Sequence, residues 1–115
     1  MNTIHMEENN IKEWPITEWP ETLQEIPQVP KGLRIRGSWP KNMNNHRLCV
    51  VGPRKHSEYG ENVCRQIIKG LEGYPITIVS GLAYGIDSIA HDAALSAGLS
   101  VIAIPGSGLS DDVIY

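Results

Sequence analysis

Arg54 and Lys55 stand side by side directly after Gly52 and Pro53 in "CVVGPRKHSEYG", residues 49–60. Two adjacent cations on a tight turn suit the holding of an anion, such as a phosphate, better than the breaking of a bond. Two further glycine stretches follow, "SGLAYG" at 80–85 and "PGSG" at 105–108. Gly52, Gly81, Gly85, Gly106 and Gly108 would let a ligand approach the backbone closely. A helix starting after each turn would offer unpaired N–H groups and partial positive charge, a setting that favours phosphate. Tight strand-to-helix turns also need glycine when nothing binds, so each turn taken singly leaves both readings open.

Motifs for other chemistry are absent. There is no GxxxxGKS/T, and the first turn lacks the GxGxxG spacing of dinucleotide sites. Asp87 and His91 lie four apart, close enough to touch on one helix face, without a third ligand or a nucleophile. Ser80 and Ser107 have no evident base partner. Without a nucleophile–base pair the expectation is a binding protein, not an enzyme, with neither metal nor cofactor.

The elements that must position these turns are legible from periodicity. "LCVV" at 48–51, "ITIV" at 76–79 and "VIAI" at 101–104 are short, wholly apolar runs, as expected of strands covered on both faces. Between them, Tyr59, Val63, Ile67, Ile68 and Leu71 recur at helical spacing within 57–73, closed by Gly73. Ile86, Ile89, Ala90, Ala93, Ala94 and Ala97 form a second stripe stopped by Gly98. Strand, glycine turn and helix in repetition predict a doubly wound, Rossmann-like α/β parallel sheet, truncated after its third strand. The three turns would then gather beyond the carboxyl ends of the strands, where open parallel sheets bind ligands.

Upstream, residues 1–18 show no sustained periodicity and are expected to be irregular. Residues 19–46 supply a short helix in "ETLQEI" and an alternating strand in "LRIRG", a lead-in to the domain whose first part is 47–115. Cys49 and Cys64 read as buried small hydrophobes, not metal ligands.

At 115 residues, 41% hydrophobic and 20% charged, the chain suits one small globular domain. The polar start and the lack of a long apolar run point to a cytoplasmic protein without membrane contact. Net charge is −3, but its distribution is uneven. Residues 31–57 hold seven bases and no acid, flanked by segments of net −5 on either side. A one-sign window of that length implies a local basic surface.

Taken together, "VVGPRKHSEYG", "SGLAYGIDSIAH" and "IPGSGL" resemble the DNA-processing protein A family (DprA, also called Smf). The likeness extends upstream to "WPETLQEIPQVPKGLRIRG" and so covers about residues 19–115. The resemblance implies single-stranded DNA binding by a recombination mediator that loads RecA during natural transformation, as a homodimer and without a cofactor. It also implies that Arg54, with Lys55 beside it, pairs with backbone phosphate. Gly52, Ser80, Gly81, Gly106, Ser107 and Gly108 would add backbone or hydroxyl contacts to the same strand. Two positions depart from the family pattern. Pro53 stands where a Ser or Thr is usual, removing a hydroxyl and an N–H. Tyr84 replaces a common cation, though a tyrosine can stack on a base for about 1–3 kcal/mol. Residues for dimerisation and RecA contact would lie largely beyond this segment.

Two other readings stay open at this point. One is a small-nucleotide enzyme or sensor on a related fold, such as the lysine-decarboxylase-like phosphoribohydrolases, whose "PGGxGT" turn differs from "PGSGLSDD" here. The other is a partial domain that binds nothing by itself.

Overall fold

A computed structural model describes residues 10–39, 46–106, 108 and 109. The chain divides into two compact units, residues 1–38 and 39–115. In the first, strand β1 (Ile11–Glu13) pairs antiparallel with β2 (Arg34–Arg36), Lys12 facing Ile35. β1 lies within the stretch expected to be irregular. Three residues are too few for a visible alternation, and the pairing partner is about twenty positions away. Between the strands, "ETLQ" forms a short 3-10 helix at Glu21–Gln24 after Pro20, where a helix turn was expected. A second 3-10 turn covers Ile16–Glu18. Trp19 is buried, its indole N–H donating to the Trp14 carbonyl at 2.9 Å with the two rings 6.3 Å apart.

The second unit holds a parallel three-stranded sheet in the order β3 (His46–Cys49), β4 (Ile76–Ser80), β5 (Ser100–Ala103). The register sets Leu48 opposite Ile78 and Ile78 opposite Val101. Helix α1 (Glu58–Lys69) joins β3 to β4, and α2 (Ile86–Ser96) joins β4 to β5. Right-handed crossovers that step in one direction place both helices on the same face, where they pack together. Ser57 caps α1, its Oγ accepting from the Gly60 N–H at 3.0 Å. The helix ends at Lys69, four residues before Gly73, whose φ of +86° closes the following turns. α2 ends as expected at Gly98, φ +74°, with the Leu99 N–H returning to the Ala94 carbonyl. This is the parallel α/β arrangement expected, with three of its strands.

Cys64, Ile68, Ile78, Ile89, Ala90, Ala93, Ala94 and Leu99 form the core. Two expectations need correction. Tyr59 and Ile67, placed in the apolar stripe of α1, are 79% and 58% exposed; Ile68 of that stripe is buried as expected, with Cys64 beside it. All four residues of β3 are exposed, Cys49 among them, so only Cys64 is a buried thiol. Burial pushes the Cys64 thiol up from its ordinary value. An apolar run fits an edge strand as well as a central one, because burial of a strand is decided by neighbours elsewhere in the chain.

Polar groups are also enclosed. Thr77, Ser80, Asp87 and His91 are buried, and the Ser80 Oγ and His91 Nε2 find no hydrogen-bond partner among the described residues. Desolvation holds the His91 imidazole below its ordinary value of 6.5, against the opposing pull of a hydrogen bond to the Ser80 backbone and of the Asp87 charge. The native state therefore favours neutral His91, and the unfolded chain takes up the proton first. Stability from this group is fully present above pH 6.5 and falls as pH drops below 6.5 toward the depressed native value. Urea denaturation of wild type and His91→Gln at about pH 7.5 and 5.5, on either side of that value, should show a loss confined to wild type. Equal loss in both would assign the pH effect to other groups. Separately, Ile78 is fully buried in the central strand, so Ile78→Ala should cost about 2–5 kcal/mol in the same assay.

Candidate anion site at the glycine turns

Parallel strands bring all three glycine turns to one edge of the sheet. The turn after β3 is fastened to the start of α2 by contacts that tolerate little change. A Cβ on Gly85, φ +90°, would run into the backbone carbonyls of Pro53 and Arg54. A Cβ on Gly52 would stand 2.6 Å from the Ile86 Cβ. The Ile86 N–H donates to the Pro53 carbonyl at 3.3 Å. Pro53, lacking an N–H of its own, thus serves this junction through its carbonyl.

Arg54 and Lys55 project from the fastened turn into solvent, and no hydrogen bond or ion pair engages either side chain among the described residues. Of the acids nearby, Glu58 is exposed with no partner among the described residues, while Glu61 and Asp92 are committed. Glu61 accepts from Arg65 Nε at 3.0 Å and lies 3.2 Å from His56 Nε2. Those bonds hold its carboxyl below the ordinary carboxylate range. Arg65 also donates to Asp92 of α2 at 2.9 Å, and its two carboxylate partners raise its own value. Glu61, in the first turn of α1, therefore has two side-chain partners of its own, Arg65 and His56.

The remaining candidates separate by exposure. Tyr84 is 68% exposed beside Gly85, and Gly106 and Gly108 are exposed in the turn after β5. These share the strand-end edge with Arg54 and Lys55. Ser80 is 2% exposed with its hydroxyl enclosed, so a surface ligand does not reach it. Gly81 is half-buried, its Cα facing Asp87; a Cβ there would lie 3.0 Å from Asp87 Oδ2. Ser107 lies outside the described residues. Gly52 does not offer a free N–H either, because that group donates to Asp87 Oδ1 at 3.3 Å. Between Gly81 and Tyr84, Leu82 takes a left-handed backbone, φ +60°, an uncommon state for a branched aliphatic residue that marks a strained turn.

Neither helix start is the open phosphate seat that the glycine spacing suggests. The first turn of α1 is capped by Ser57 and carries Glu58 and Glu61. The first turn of α2 carries Asp87. Sequence spacing pairs Asp87 only with His91; its contact with Gly52, 35 positions away, has no local signal. Among the described residues no group of His, Cys, Asp and Glu is placed to hold a metal ion, and no helix is long and apolar enough to cross a membrane. Arg54 and Lys55 thus stand exposed on a turn whose Gly52 N–H is taken by the chain's own Asp87 carboxylate.

Residues 13–114 match the family described as DNA recombination-mediator protein A. The chain is 39% identical to protein Smf of Escherichia coli over 92 residues, 80% of this chain and 24% of that protein. It is 41% identical to DNA processing protein DprA of Streptococcus pneumoniae over 97 residues, 84% of this chain and 33% of the relative. The X-ray structure of DprA from Streptococcus pneumoniae superposes with a TM-score of 0.74 at 36% identity, covering 96% of this chain and 38% of that one. The chain thus spans a quarter to a third of the length of these two curated relatives. A family match over nearly its whole length, with the same fold in a solved relative, shows that the chain belongs to the DNA-processing protein A (DprA/Smf) family of recombination mediators.

Proposed function

We propose that this chain is the single-stranded DNA-holding part of a DprA-type recombination mediator, and that it acts by binding, not by catalysis. The observation that carries the reading is the exposed, uncommitted Arg54–Lys55 pair on a turn held rigidly against α2. Side-chain cations that meet phosphate fix a strand in place without reading its bases, as a mediator of arbitrary sequence requires. Tyr84, exposed on the neighbouring turn, offers a face on which a base can stack. Loading of a RecA-type recombinase, dimer formation and a role in natural transformation belong to the same proposal for the longer protein, with their contacts outside this segment. A cytoplasmic location follows from that role.

Fluorescence anisotropy of a labelled poly-thymidine oligonucleotide checks the reading, after circular dichroism establishes the fold of each variant. Wild type should bind, and log K should fall with log salt by roughly 0.7 per neutralised phosphate. Arg54→Ala should weaken binding about tenfold or more and make the slope shallower. Folded wild type that binds no oligonucleotide at low salt would refute DNA holding by this segment. Binding untouched by Arg54→Ala would place the site elsewhere.

A further inference from the structure

A carboxylate in the interior needs partners, and Asp87 finds them on both sides of the candidate site. It is 8% exposed in the first turn of α2, where the helix dipole favours a negative charge. Its Oδ1 accepts from the Gly52 N–H of the first glycine turn. Its Oδ2 lies against Gly81 of the second, so closely that a Cβ there would stand 3.0 Å away. His91 packs one helical turn further along, buried and electrostatically coupled to it. One side chain thus touches both turns and takes the Gly52 N–H, a donor that the first glycine turn would otherwise offer to an anion.

We propose that Asp87 is the positioning residue of the DNA-holding turn: it takes the Gly52 N–H, locks that turn, and thereby orients Arg54 and Lys55 toward phosphates that bind outside it. This rests on the DNA-binding reading and deepens it. Phosphate contact then comes from side chains on the rim, since Gly52 and the start of α2 are already satisfied from within. Asp87 touches no ligand; its effect passes through the turn.

The alternative is that Asp87 only repels phosphate or only stabilises the fold, and the variants distinguish these. Asp87→Asn keeps an acceptor for the Gly52 N–H and removes the charge. Asp87→Ala removes both. Positioning predicts that Asn binds labelled poly-thymidine within about threefold of wild type. Ala, still folded by circular dichroism, should bind at least tenfold more weakly, with a salt slope shallower by about 0.7 for each phosphate it no longer neutralises. A merely structural role lowers the folded fraction and leaves that slope unchanged, which would overturn the proposal. Tighter binding by both variants would also overturn it, showing repulsion instead.

A second readout does not depend on DNA or on the Ala variant folding. The Gly52 N–H, bonded to Asp87 Oδ1, should exchange with deuterium more slowly in wild type than the amides of Arg54 and Lys55 on the same turn. A Gly52 amide that exchanges as fast as theirs would show that the two groups are not bonded and overturn the proposal. A wild type that binds no DNA while its Gly52 amide is protected would sink the DNA reading alone.

Discussion

The close approach of two backbones, Gly52–Arg54 on one side and Gly85–Asp87 on the other, is the constraint on which the functional edge depends. It leaves no room for a side chain at either glycine. Its polar bonds are few: Ile86 N–H to the Pro53 carbonyl, and Gly52 N–H to Asp87. Glycine at 85 is required twice, by its φ of +90° and by the carbonyls it faces. α2 in turn is seated by Ile89, Ala90, Ala93 and Ala94 against the core. The small alanines let helix and sheet approach closely, so the place of Arg54 is inherited from packing some distance away.

Charge around the edge follows the same logic. In a chain of net −3, several acids near this edge are engaged from within, although Glu58 stays exposed. Glu61 is engaged twice, by Arg65 and His56, and Asp92 is engaged by Arg65. Asp87 is enclosed. Arg47 sits over the Trp39 ring, 5.7 Å from its centroid, and β2 places Arg34 opposite Glu13. Members of the seven-base window fall in both units, Lys31, Arg34 and Arg36 in the first and Arg47, Arg54 and Lys55 in the second. On the turn after β3, Arg54 and Lys55 stay uncommitted among the described residues. Exposed ion pairs of this kind contribute little to stability. Their consequence here is to decide which cations remain for a ligand.

Much of this is legible in the sequence, and the failures share one cause. The helices around Ile68 and Ala90, the strands around Ile78 and Val101, and the helix stop at Gly98 are written in local periodicity and in glycine placement. Arg54, Lys55 and Tyr84 stand exposed where their turn positions put them. The misreadings concern partners far along the chain. β3 reads as central because Leu48 to Val51 are apolar, yet its second neighbour is absent among the described residues. Tyr59 and Ile67 obey helical spacing but stay exposed along an apolar groove that they line with Val50, Val63 and Ile86, since how far a stripe is covered is set by the sheet, not the helix. Ser80 follows an exposed-turn pattern although it is the last residue of a buried strand.

Gly52 illustrates the general point. A glycine after a strand can mean ligand approach or backbone approach, and the residues on either side do not distinguish them. Here the partner that decides is Ile86, with Asp87 taking up the N–H that a phosphate would have used. A turn whose N–H is taken by the chain's own carboxylate is fixed from within. On the proposed reading, phosphate contact is left to Arg54 and Lys55, long flexible cations in solvent. Such contacts are individually weak, screened by salt and indifferent to base identity. Those properties suit the proposed holding of a strand of any sequence.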